Sequence, residues 1–167
     1  MTSPIPAFPF TLDRQAIEQL LPHRGPIFAC KQLTATGPRA FRGIAHWPLD
    51  NAVIQGHFPG FPMVPGVMLI EAVTQLAGAG LLAADPYAQT LTGDRVGVLA
   101  SVRRCAFKQP VLPEQDVHFE INCRQMGTEA VQVTAVATVD ACEVAQLETL
   151  MVYANRSQFS ALPGLAT

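Results

Sequence analysis

Apolar residues recur along this chain with two different periods, and the switch between them divides it into elements. In 115–125, Val117, Phe119, Ile121 and Cys123 take every second place. In 131–139, Val131, Val133, Ala135, Ala137 and Val139 do the same. A period of two puts each set on one face of a β-strand. Further strands are predicted at 27–33, 39–47, 96–107 and 142–154. Asp13 is placed to cap a short helix with Ile17, Leu20 and Leu21 on one side, and Pro22 should end it. Residues 48–65 are dense in Gly and Pro and predict a loop. From Gly66 to Ala84 apolar residues fall on almost every side, which predicts a helix buried all round.

The order is therefore two strands, one long buried helix, then a run of strands. A helix without a polar face must be wrapped, and an antiparallel sheet curled around it buries both partners in one core. The predicted class is α+β, with a long central helix wrapped by a curved antiparallel sheet. Residues 1–11 read as an N-terminal arm, 12–154 as the domain and 155–167 as a C-terminal tail.

Composition adds a partner. The 167 residues are 49% hydrophobic and only 14% charged, so apolar surface is expected to be covered between subunits of a homo-oligomer. A formal net charge of −2 gives no field to attract nucleic acid. The first ten residues have neither a basic nor an apolar signal region, so a cytoplasmic location is expected. Residues 64–84 approach the length of a membrane span. Glu71, Thr74 and Gln75 sit in their middle, where a bilayer tolerates a carboxylate poorly, so no membrane insertion is expected. Cys30, Cys105, Cys123 and Cys142 form no CxxC pair and are expected to be reduced, small, buried residues. His23, His46 and His118 have no metal-ligand spacing with His57. They are expected to be ordinary surface or core residues, with no metal site.

The chemistry is concentrated between Gln55 and Glu71. Pro59, Pro62 and Pro65 stiffen this segment around His57, and a general base works only when held in place. Gly66 falls at the predicted helix start, where backbone N–H groups lack partners and can donate to a carbonyl oxygen that gathers negative charge. A Pro-Gly helix entry of purely structural meaning fits the same residues. Glu71 is the sharper signal. A carboxyl on an apolar helix needs a partner, and desolvation favours the protonated form that can act as an acid. Gln75, one turn on, shares its face and can orient it. His57 and Glu71 can meet within one subunit or across a subunit contact.

These residues resemble the 3-hydroxyacyl-acyl-carrier-protein dehydratases of the FabZ type. The resemblance runs through Leu21-Pro22-His23-Arg24, Gln55-Gly56-His57-Phe58-Pro59-Gly60, Pro65-Gly66-Val67, Glu71-Ala72 with Gln75, and Phe107-Lys108-Gln109-Pro110-Val111-Leu112-Pro113. It covers about residues 12–154. It implies a hot-dog fold, a dimer or trimer of dimers, and a His57 that faces the Glu71 of a neighbouring subunit. It also implies Gly66 as the amide on the thioester carbonyl, and no metal or organic cofactor. The implied reaction removes water from a (3R)-hydroxyacyl thioester on acyl carrier protein, giving the trans-2-enoyl thioester of fatty acid or polyene- and polyketide-like lipid synthesis. Phe58, Phe61 and Met63 are candidate walls of the acyl tunnel. Arg104 and Lys108 fall on one face of their strand and are candidate contacts for an acidic carrier. Gly25, Arg103, Ala106 and Glu114 depart from the family's usual residues and leave the motif positions intact. Two rival readings are a hot-dog thioesterase and a non-catalytic acyl-binding subunit.

Overall fold

The computed structural model describes residues 4–91, 95–155 and 157. Seven strands form one antiparallel sheet: β1 Phe10–Asp13, β2 Cys30–Gly37, β3 Ala40–His46, β4 Arg95–Phe107, β5 Asp116–Met126, β6 Ala130–Val139 and β7 Cys142–Asn155. Their order across the sheet is β1-β2-β3-β5-β6-β7-β4. The helices are α1 Arg14–Leu20, α2 Ala52–His57, α3 Gly66–Ala84 and α4 Pro86–Thr90. The long central helix wrapped by an antiparallel sheet, expected from the pattern, is observed, and it is the hot-dog fold that the resemblance implies.

The period-two residues do what alternation requires. Val117, Phe119 and Ile121 of β5 and Val131, Val133, Ala135, Ala137 and Val139 of β6 are buried on the concave face. Helix α3 lies against that face with Met68, Leu69, Ala72, Val73, Leu76, Ala77 and Leu81 buried. It is long and apolar enough to cross a bilayer by length and composition, but most of it is buried within the domain. Close approach to β3 depends on two glycines. A Cβ on Gly43 would stand 2.5 Å from a Leu76 methyl, and one on Gly80 would stand 2.8 Å from the Phe41 ring. Helix and sheet therefore touch nearly backbone to side chain.

Asp85 closes α3 and opens α4. Its carboxylate accepts from Tyr87 N at 3.0 Å and from Arg39 Nε at 2.7 Å, with 2% of the residue exposed. The ion pair ties the end of α3 to the turn before β3.

Several expectations are corrected. The loop at 48–65 contains α2, capped by the Asn51 side chain on Val53 N at 3.0 Å. The strand expected from residue 27 starts at Cys30, because Gly25–Ile27 closes a 3-10 turn. Phe10 and Thr11, read as arm, pair with Ala35 and Thr34. Cys142 is exposed rather than buried. Beyond Asn155 and Ser157, the expected tail lies outside the described residues.

Candidate active site

One face of α3 opens on a cavity of about 260 Å³. Glu71, Thr74, Gln75, Gly78, Leu81 and Leu82 line it, and their spacing follows the helical repeat. From Glu71 to Leu82 this face is about 16 Å long at 1.5 Å per residue. The opposite walls are Leu20 and Leu21 at the end of α1, Val96, Val98 and Leu99 of β4, and Met151 of β7. Most of the wall is apolar; Glu71, Gln75 and His23 form one polar cluster on it, and Arg95 and Tyr153 are the other ionisable groups.

Glu71 keeps 29% of its side chain exposed, less buried than a helix apolar all round suggested, because it faces this space. Its Oε1 accepts from Gln75 Nε2 at 2.8 Å. The same Gln75 nitrogen donates to Ile27 O at 3.0 Å. The Cys30 thiol faces Gln75 Oε1 at 3.6 Å. Burial pushes the Cys30 thiol up to about 12, so it stays protonated and can donate. Every polar atom of the Gln75 amide is thus used, and the amide has one orientation. The predicted Glu71–Gln75 partnership is present.

His23 is the residue that sequence reasoning set aside. Its Nε2 lies 3.5 Å from Glu71 Oε1. The backbone around it is pinned by Arg24, whose Nη1 donates to Leu21 O and His23 O, both at 2.6 Å. The signal for it was the Leu21-Pro22-His23-Arg24 match, since composition and spacing say nothing about a contact 48 residues apart.

His57 is the last residue of α2, half-buried, with its ring 4.2 Å from the Phe58 ring. Its Nδ1 lies 3.2 Å from Met63 O. A carbonyl can only accept, so in the neutral ring the proton sits on Nδ1 and the lone pair on Nε2. Within one chain His57 is not on the wall of the Glu71 cavity. Gly66 begins α3 after Pro65, which provides no side-chain cap. The space a Gly66 Cβ would take is filled by the Phe107 ring, 2.6 Å away, so the glycine has a packing reason as well as the proposed chemical one.

The other candidates scatter. Phe58 and Phe61 are 47% and 69% exposed and stand outside the cavity. Met63 lines a shallow groove with Gly66 and Phe107. Lys108 is engaged with Glu143 at 2.6 Å. Arg104 is exposed on edge strand β4, beyond a register break, and pairs opposite Glu148. Among the described residues no group of His, Cys, Asp and Glu is arranged to hold a metal ion.

A family model described as a FabA-like domain matches residues 32–148. The 3-hydroxyacyl-[acyl-carrier-protein] dehydratase FabZ of Bacillus pumilus is 32% identical over 136 residues, covering 79% of this chain and 91% of that protein. Its namesake from Bacillus subtilis is 31% identical over 140 residues, covering 82% and 94%. Among solved structures, the dehydratase heterocomplex ApeI:P from Xenorhabdus doucetiae matches with a TM-score of 0.69 at 14% identity. It covers 89% of this chain and 97% of that one. A hypothetical thioesterase with coenzyme A from Streptococcus pneumoniae matches with a TM-score of 0.53 at 10% identity, over 74% and 84%. Both likenesses are of fold.

Proposed function

This chain belongs to the family of FabA-like domains, and from that premise we propose how its residues divide the work of a 3-hydroxyacyl-carrier-protein dehydratase. The enzyme is a hydro-lyase that eliminates water across C2 and C3 of the acyl chain. The observation that carries the reading is the Glu71 carboxyl, oriented by Gln75 on the wall of a mostly apolar cavity.

His57 Nε2 removes a proton from C2. The freed electron pair forms the C2–C3 double bond as the C3–O bond breaks. Glu71 gives its proton to the departing hydroxyl, which leaves as water. The imidazolium and carboxylate that result exchange a proton with solvent to reset the site. The Gly66 N–H donates to the thioester oxygen, where charge gathers as C2 loses its proton. Cavity wall residues hold the acyl chain.

Because His57 does not line the Glu71 cavity of its own chain, the pair is completed between two copies in a two-fold dimer. The apolar Phe58, Phe61 and Val67 beside it, 47%, 69% and 68% exposed, supply surface for that contact. Carrier docking on Arg104, with Lys108 in a lesser role because Glu143 already holds it, completes the cycle in the cytoplasm.

A series of 3-hydroxyacyl carrier substrates tests the proposal. Conjugated 2-enoyl product without free thiol supports it. Release of free thiol in its place identifies a thioesterase, and background rates across all chain lengths identify a non-catalytic acyl-binding subunit.

A further inference from the structure

We propose that His23 is a positioning residue for this reaction, holding Glu71 jointly with Gln75; this rests on the reading of Glu71 as the acid. Its Nε2 lies 3.5 Å from Glu71 Oε1, the oxygen that already accepts from Gln75 at 2.8 Å. That separation is longer than an ordinary N–H···O bond, and such contacts tighten when substrate closes a site. His23 Nδ1 is buried and has no hydrogen-bond partner among the described residues. A proton there would be a stranded interior donor. The tautomer with its proton on Nε2 avoids this and puts the N–H on the ring nitrogen nearest Glu71. Arg24 fixes the backbone that carries the ring.

Two donors on one oxygen break the equivalence of the carboxyl. An oxygen faced by N–H groups must accept, so the proton of the neutral acid resides on the other. Oε2 makes no hydrogen bond among the described residues. The clamp therefore assigns the transferable proton to Oε2 and aims it away from Gln75 and His23. Without His23, one amide remains, and the carboxyl can turn about that single bond. The other titratable groups on the cavity wall are Arg95, occupied by Glu129 at 3.0 Å, and Tyr153, which burial pushes up to about 12. Cys30 lies behind Gln75.

The test compares His23→Ala, His23→Asn and Glu71→Gln in the full-length protein with a 3-hydroxybutyryl carrier substrate. We expect His23→Ala to lower kcat by about tenfold or more with KM within about twofold. The limb of the kcat–pH profile that reports the acid should move upward, because a donor to the carboxylate is lost. His23→Asn, which supplies an amide donor, should recover most of kcat and the profile. A wild-type kcat and profile in His23→Ala overturns the proposal. So does an equal loss in Ala and Asn with an unmoved profile and a lowered Tm, the mark of a structural role. Glu71→Gln separates the two readings. At background rate it keeps Glu71 as the acid whatever His23 does; at the wild-type rate it removes Glu71 and this proposal with it.

Discussion

The Gln75 amide nitrogen bridges Glu71 Oε1 at 2.8 Å and Ile27 O at 3.0 Å, so the orientation of the proposed acid is set by a backbone carbonyl at the entry to β2. Replacing Gln75 with Leu keeps the volume and removes the bridge. It also leaves the buried Cys30 thiol without its acceptor and Ile27 O without its donor, at a position where Gln75 itself is 1% exposed. Stability should fall by about 1–3 kcal/mol, read by urea unfolding, and kcat should fall about tenfold or more with little change in KM.

A site completed between copies can be rebuilt from two broken ones. His57→Ala and Glu71→Gln should each lower kcat by roughly 10²-fold or more. Unfolding and refolding them together yields mixed dimers with one intact site. The mixture should regain up to about a quarter of wild-type activity, as statistical pairing in a two-fold dimer requires. If mixing restores nothing while each variant alone is folded, the two residues act within one chain.

Two glycines two residues apart on α3 should respond to Ala with opposite signs. A Cβ at Gly80 would stand 2.8 Å from the Phe41 ring, which is 1% exposed. Overpacking there costs about 1–3 kcal/mol, more than the gain of up to about 1 kcal/mol in helix propensity. A Cβ at Gly78 would meet Leu21 and Met151 at 3.7 Å, an ordinary contact. Gly78→Ala should therefore raise Tm while narrowing the cavity, and turnover of long acyl chains should fall relative to short ones.

Asp116 makes the fold sensitive to acid. Its carboxylate accepts from Lys31 Nζ at 2.7 Å, with His46 Nδ1 2.9 Å away. Lys31 first, and then His46, hold it below its ordinary value of 3.8. A carboxyl with a depressed folded value stabilises the fold above its unfolded value and loses that contribution as the pH falls through the depressed one. Asp116→Asn should flatten the decline in unfolding free energy between neutral and strongly acid pH. An unchanged slope would show that the ion pair is screened by solvent.

Arg104 is exposed on β4 with no ion pair among the described residues, whereas Lys108 is held by Glu143. Arg104→Glu should raise KM for carrier-bound substrate more than Lys108→Glu does. It should leave turnover of a small free thioester unchanged, which stopped-assay kinetics on both substrates will show.

The sheet was legible where one face packs and the other does not. Val117, Phe119 and Ile121 could be placed because their neighbours face water. Helix α3 was legible at both ends because Pro65-Gly66 opens it and Asp85-Pro86 closes it. Helix α2 was hidden because six residues give too little repeat to recognise, and its cap, Asn51, sits among loop-forming residues. β1 was hidden because its four residues earn their place through pairing with β2 rather than through a core of their own. At the site, Glu71 and Gln75 lie one helical turn apart, a relation any sequence displays. His23 reaches Glu71 only through the folded path of α1 and β2, and no local pattern carries that information.

Because Gly66 and Glu71 open the same helix whose far end carries Leu81 and Leu82, the proposed division of work makes α3 a ruler with its zero mark at the reacting carbons. Divergence can move the far graduations without disturbing the origin. Descendants of this scaffold can thus specialise in products of different length while inheriting one unaltered reaction centre.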